Sequence, residues 1–376
     1  MRDPAKYAMS TIPTTFNSQN AYSAQPKGRR NNEVQFPSTW KGILPSYTAV
    51  GGSERAGTTG LSAVLLNREG RFPRRTLFEE LKKAGFDYIL SIESSQERYD
   101  VEELSGQFPF VRFILLQEKI TPGESINLAA AELTGSYFFV LWNDYRLFNG
   151  INASKMVELF GGRRLCTVPT VQNSRFEVLH TIASPVYYKN PRGSTIKTIP
   201  EAPVRENQST LYPHDWLGFY DKERFLRLGG FDREIIHPHW QLMDFGFRSY
   251  LWDEELRSTQ IIRLVHDSAM PPEDSTTEES YRLFYLKNLA PEWRSDHAYL
   301  PWRCFLSFLA TSGWDLPSAW NEFSRERKWV LANRNRFRRD ARTFTEMWEH
   351  SRPERIESNH TEINYNEQEA PSGVVE

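Results

Sequence analysis

Short apolar runs alternate with helically spaced ones through the middle of the chain. Leu61–Leu66 (LSAVLL) is a short, mostly apolar run that stops at the turn signal Asn67-Arg68-Glu69-Gly70. A run of that length bounded by turn residues predicts a buried strand. In Arg74–Ala84, Leu77, Leu81 and Ala84 recur at helical spacing, and Gly85 sits where a helix ends. Phe86–Ile92 (FDYILSI) and Val111–Leu116 (VRFILL) repeat the strand pattern. Ser125–Leu133 is Ala-rich and predicts a helix that Gly135 stops, and Tyr137–Trp142 (YFFVLW) predicts a fourth strand. LGFYD and QIIRLVH read as later strands. Apolar strands separated by helices predict an α/β fold with a parallel sheet covered on both faces. Ligands of such sheets bind beyond the carboxyl ends of the strands. That directs the search to Asn67 and Arg68, Glu93 and Ser94, Gln117 and Glu118, and Asn143 and Asp144.

The ends of the chain read differently. Residues 1–38 are rich in Ser, Thr, Asn, Gln and Pro, and residues 352–376 are polar and acidic. Both predict disordered tails. Between them, the strand and helix pattern fills 39–275, and 276–351 turns helical and aromatic. Phe337, Ala341, Phe344 and Trp348 fall on one helix face, and Asp315-Leu316-Pro317-Ser318 looks like a helix start. This C-terminal helical appendage carries a basic stretch, Arg325 to Arg342, read as one helix. Such a face suits solvent or a peripheral contact with an anionic membrane.

Composition narrows the class. The apolar fraction of 39% and aromatic fraction of 14% supply a packed core and rule out wholesale disorder. A net charge of −2 gives no footprint for nucleic acid. The only cysteines, Cys166 and Cys304, lie far apart and outside metal-ligand spacing, so neither a disulfide framework nor a structural zinc site is expected. The N-terminus lacks the apolar stretch of a signal peptide, and no run reaches the roughly 20 residues of a spanning helix. A cytoplasmic protein, at most peripheral to the inner face of a membrane, is the expectation.

Three stretches in order carry a family resemblance: FDYILSIESS through VRFILL; PGESINLAAAELTGSYFFVLWNDYRL; and FYDKERFLRLGGFDREIIHPHWQLMDFGFRSYLWDEEL. Together, from Leu61 to Asp267, they resemble family 2 glycosyltransferases, GT-A-fold members of the nucleotide-diphospho-sugar transferase superfamily. The resemblance implies a mostly parallel sheet flanked by helices. It implies a nucleotide-diphospho-sugar donor, a divalent cation (Mn2+ or Mg2+), and inverting transfer to a glycan or glycolipid acceptor. Glu93, Asn67, Arg68, Asn127 and Asn143 would then face the nucleotide-sugar. Asp144 would be the metal ligand, with His266 completing the shell and Asp267 a further donor. Asp215, Trp216, Gly229, Gly230, His239 and Trp240 would lie on the acceptor side. Two positions depart from the family pattern: Asp-any-Asp reads Trp142-Asn143-Asp144, and the acidic pair reads Met243-Asp244.

Sugar transfer needs a base for the acceptor hydroxyl, charge compensation on the leaving diphosphate, and aligned reactants. A cation held by carboxylate and diphosphate oxygens meets the second need. Asp244 is the candidate base, since burial can raise a carboxyl toward a useful range. Structural alternatives stand beside these roles: a strand-end Asx turn for Asp144, a helix-start carboxylate for Asp244, a core aromatic for Trp216. The two missing acids also fit a relative that binds nucleotide-sugar or glycan without turnover. A sugar nucleotidyltransferase fits poorly, because Leu66–Arg71 has a single glycine where a Gly-rich loop belongs.

Overall fold

The computed structural model describes residues 45–52, 60–68, 74–93, 100–148, 151–160, 163–190, 193–267, 274–276, 278–312 and 314–350. Both expected tails, and the turn residues Glu69, Gly70 and Ser94, lie outside the described residues.

The strands are β1 (Tyr47–Gly51), β2 (Leu61–Leu66), β3 (Tyr88–Glu93), β4 (Val111–Leu116), β5 (Tyr137–Trp142), β6 (Arg146–Leu147), β7 (Arg164–Gln172), β8 (Ile182–Asn190), β9 (Gly193–Glu201), β10 (Gly218–Asp221), β11 (Glu255–Val265), β12 (Glu292–Arg294) and β13 (His297–Tyr299). The helices are α1 (Arg74–Lys83), α2 (Val101–Gln107), α3 (Pro122–Glu132), α4 (Ala153–Val157), α5 (Lys222–Leu228), α6 (Pro238–Leu251), α7 (Glu279–Phe284), α8 (Cys304–Thr311), α9 (Leu316–Asn333) and α10 (Ala341–His350). Nine strands form one sheet in the order β1-β4-β3-β2-β5-β10-β7-β11-β6. β2, β3, β4 and β5 are mutually parallel. β10 runs against both β5 and β7, and β7 is parallel to β11. Six strands therefore share one direction, and only β1, β6 and β10 oppose it. The mostly parallel, helix-flanked sheet expected from the sequence is present.

Local chemistry sets several boundaries. α3 starts at Pro122, three residues earlier than the Ala-rich pattern suggests, because Thr121 and Glu124 form a capping box. Gly85 adopts φ 99°, the left-handed conformation that ends α1. In β10, Gly218 lies against the Cys166 side chain, and a Cβ there would overlap the sulfur. Every residue of α6 from His239 to Leu251 is buried. A helix covered on all sides is central to its domain.

The C-terminal helices supply much of that cover. Phe284 stacks on Trp240, Phe344 stacks on Tyr250, and Trp348 meets Tyr250 edge-on. The expected single basic helix over 325–342 is not formed. α9 ends at Asn333, a turn follows, and α10 begins at Ala341. Three of its arginines are tied to the protein body. Arg336 lies over Trp252 and donates to the Arg227 carbonyl, Arg339 pairs with Asp253, and Arg327 lies over Trp302. Phe337 packs against Trp252 from the turn, so only Ala341, Phe344 and Trp348 share the predicted helix face. Among the described residues no helix is long and apolar enough to cross a membrane.

Candidate active site

β2, β3, β5 and β11 point the same way, so the residues after them meet at one rim of the sheet. Arg68 follows β2, Asn143, Asp144 and Tyr145 follow β5, and His266 follows β11. Asp215 joins them from the turn before β10.

These side chains form one charged cluster. Arg68 donates to Asp144 Oδ2 at 2.7 Å and to both oxygens of Asp215 at 2.5 Å. His266 Nε2 lies 3.2 Å from Asp144 Oδ2. Tyr145 donates its hydroxyl to Asp215 Oδ2 at 2.9 Å and stacks its ring on His266 at 4.4 Å. Burial alone would raise the Asp144 carboxyl, but His266 and Arg68 outweigh it and hold that carboxyl below its ordinary range. Burial and Asp215 push the Tyr145 phenol upward, so it remains a donor.

Trp142 and Asn143 frame Arg68. The Trp142 ring lies 4.3 Å from the guanidinium carbon, and its indole N–H donates to the Asp215 carbonyl at 2.9 Å. Asn143 Oδ1 accepts from the Arg68 backbone N–H at 3.0 Å, and Asn143 Nδ2 donates to the Arg68 carbonyl at 3.2 Å. Asp215 and Trp216 hold φ of 53° and 59°, sparsely populated for residues with a Cβ. Strain of this kind persists where surrounding contacts over-determine it.

The structure places the remaining expected site residues in the following contacts. Glu93 is fully buried, accepting from Ser91 at 2.7 Å and from Arg74 at 2.8 Å. Asn67 donates to Ser91 Oγ and to the Ile92 carbonyl. Asn127, expected beside the nucleotide, clasps Phe231 instead: its amide donates to the Phe231 carbonyl at 2.7 Å and accepts from the Phe231 N–H at 2.9 Å. Gly229 and Gly230 adopt φ of 96° and 64° and terminate α5. Trp216 is a buried core aromatic against Trp142. His239 packs edge-on to Trp240, whose indole donates to the Thr276 carbonyl at 2.8 Å. Asp267 is engaged by Arg146 and by the Ser174 N–H, each at 2.7 Å.

Asp244, expected as the base, sits in a buried ion pair inside α6. Its side chain and that of Arg248 are both 0% exposed and paired at 2.6 Å within α6. Asn288 donates to its other oxygen at 2.8 Å. Neither oxygen of that carboxylate is free, and the side chain has no exposed atom. Sequence reasoning also missed Tyr145 in the charged cluster and the structural role of Gln241. The Gln241 amide binds Thr121 Oγ1 and the Asp232 carbonyl, each at 3.0 Å, and accepts from the Gly123 N–H. Its one available signal was its position a turn inside a helix start.

Asp144 and His266 fit a divalent cation. Two neighbouring ligands of an octahedral ion with bonds of about 2.1 Å lie roughly 3 Å apart, close to the 3.2 Å observed. Asp144 Oδ1 is buried and has no hydrogen-bond partner among the described residues. Among those residues no group of three or more His, Cys, Asp or Glu side chains is arranged to hold a metal.

No protein-family model matches the chain, and no curated protein matches it. Among solved structures it is similar to GalNAc-T7, determined with UDP, GalNAc and Mn2+, at 12% identity and a TM-score of 0.51. That alignment covers 77% of this chain and 56% of GalNAc-T7, so the chain spans little more than half of that protein's length. S. aureus TarS 1–349 in complex with UDP-GlcNAc also matches, at 11% identity and a TM-score of 0.37, covering 60% of this chain and 64% of that one. The fold is GT-A-like.

Proposed function

We propose that the chain is a glycosyltransferase that takes its sugar from a nucleotide-diphospho-sugar. The observation that carries this reading is the convergence of Arg68, Asp144, Asp215 and His266 at the strand rim of a GT-A-like sheet. GalNAc-T7, a solved structure of similar fold, was determined with UDP, GalNAc and Mn2+. Asp144 and His266 would hold a divalent cation, which supplies charge to the departing diphosphate. With Asp144 and His266 as the two donors named among the described residues, diphosphate oxygens and water would complete the shell, a common arrangement for Mg2+. Arg68 would add a forked donor to the diphosphate. The acceptor, a glycan or glycolipid, and inversion at the sugar carbon follow from the family 2 resemblance. The side chain of Asp244, the base expected from the family resemblance, is buried and paired with Arg248, which supports a structural role for it.

A second reading is favoured by that burial and by Trp142 in an acidic position: a GT-A relative that binds nucleotide-sugar without turnover. Thermal shift with UDP, GDP, ADP and CDP, each with and without Mn2+, tests the donor site. We expect one nucleotide to raise Tm by a few degrees only with metal, and Asp144→Ala to abolish that dependence. Stabilisation that ignores Asp144→Ala would remove the cation from the site. Metal-dependent binding with no hydrolysis or transfer of the matching donor would select the second reading.

A further inference from the structure

Arg68 occupies a seat that the chain builds around it. Asn143 grips its backbone on both sides, and Trp142 lies under its guanidinium. The fork closes on Asp215 and on Asp144 Oδ2, the same oxygen that faces His266. A divalent cation at Asp144 and His266 would therefore stand beside a guanidinium on one carboxylate, and like charges there repel. The side chain of Arg68 is 34% exposed, so its fork can swing outward while its backbone stays gripped.

We propose that Arg68 caps the cation site in the resting protein and transfers to the donor's diphosphate when metal and nucleotide arrive together. This rests on the donor-site reading above. Diphosphate oxygens offer the same forked acceptor that Asp215 offers. Their negative charge also removes the conflict between guanidinium and metal. Metal and nucleotide then bind with positive coupling, and metal alone binds weakly.

Titration with Mn2+ alone, followed by the electron paramagnetic resonance of free Mn2+, tests the cap without reference to activity. The proteins are wild type, Arg68→Ala, Arg68→Lys and the double variant Arg68→Ala with Asp144→Ala. Arg68→Ala removes the guanidinium from Asp144 and Asp215 and should bind Mn2+ about tenfold or more tighter than wild type. The double variant should lose that binding. Arg68→Lys keeps the charge without the fork and should fall between. Equal affinity of wild type and Arg68→Ala would overturn the cap while leaving the cation site standing. No Mn2+ binding by Arg68→Ala would overturn both. Should circular dichroism show that Arg68→Ala is unfolded, Arg68→Lys decides: tighter than wild type supports the cap, and equal affinity overturns it.

Discussion

Asp244 shows how one carboxylate changes meaning with its surroundings. In the sequence it stands near a helix start, beside aromatics, where a base is expected. In the fold it neutralises Arg248, whose guanidinium also donates to the Leu228 and Gly230 carbonyls at 2.8 Å. Arg248 thus pins the end of α5 to α6, and Asp244 makes its burial tolerable. Removing one partner of a buried pair leaves an uncompensated charge and costs about 3–5 kcal/mol. Asp244→Ala should therefore unfold at markedly lower urea concentration. A stably folded Asp244→Ala that lacks only transfer would restore the catalytic role. The rim residues Arg68, Asn143 and Asp144 were legible because they follow apolar strands, whose ends topology fixes. The pairing of Arg68 with Asp215, 147 positions away, was not, because only tertiary packing brings the turn before β10 to the rim. The burial of Asp244 was hidden for the same kind of reason: the segments that enclose α6 come from both earlier and later in the chain, with the Leu228 and Gly230 carbonyls on Arg248 and Asn288 on Asp244 itself.

At the level of elements, legibility followed length and continuity. β2, β4 and β5 coincide with their apolar runs, and β3 begins two residues after Phe86 and reaches Glu93. β7 escaped notice because Pro169 interrupts it, and proline removes a donor from the ladder. Its partner β11 shifts register between Thr259 and Arg263, and the irregularity falls beside that proline. The hairpin of β8 and β9 was missed as well. α6 carries its own constraint at Gly246, where a Cβ would overlap the Leu211 carbonyl oxygen. Backbone cannot yield as a side-chain tip can. Gly246→Ala should cost about 3 kcal/mol or more, the upper range for overpacking, measured by chemical denaturation. A neutral result would mean that α6 and the Leu211 segment are not in contact.

Across the whole molecule, a buried ion network joins the sheet domain to the C-terminal helices. Lys287 lies 2.5 Å from Asp232, 3.4 Å from Glu326 and 3.7 Å from Glu234. Burial alone would raise the Asp232 carboxyl, yet Lys287 holds it below the ordinary range. Burial would lower the Lys287 amine, yet Asp232 and Glu326 hold it above its range. A depressed carboxyl contributes stability that is present above its unfolded pKa of about 3.9 and is lost as pH falls further. A raised amine contributes stability present below about 10.4 and lost as pH climbs. The network should therefore stabilise the fold between roughly pH 4 and pH 10. Asp232→Asn should lower stability at neutral pH and flatten its decline in acid, as read from urea midpoints across pH. An unchanged acid limb would exclude this linkage. The aromatic cover of α6 has a practical corollary for anyone shortening the gene. Ending the polypeptide after β11 would strip Phe284, Phe344 and Trp348 from Trp240 and Tyr250. The fragment would carry an adhesive flank and an orphaned carboxylate at Asp232, and would be recovered from inclusion bodies rather than from the supernatant.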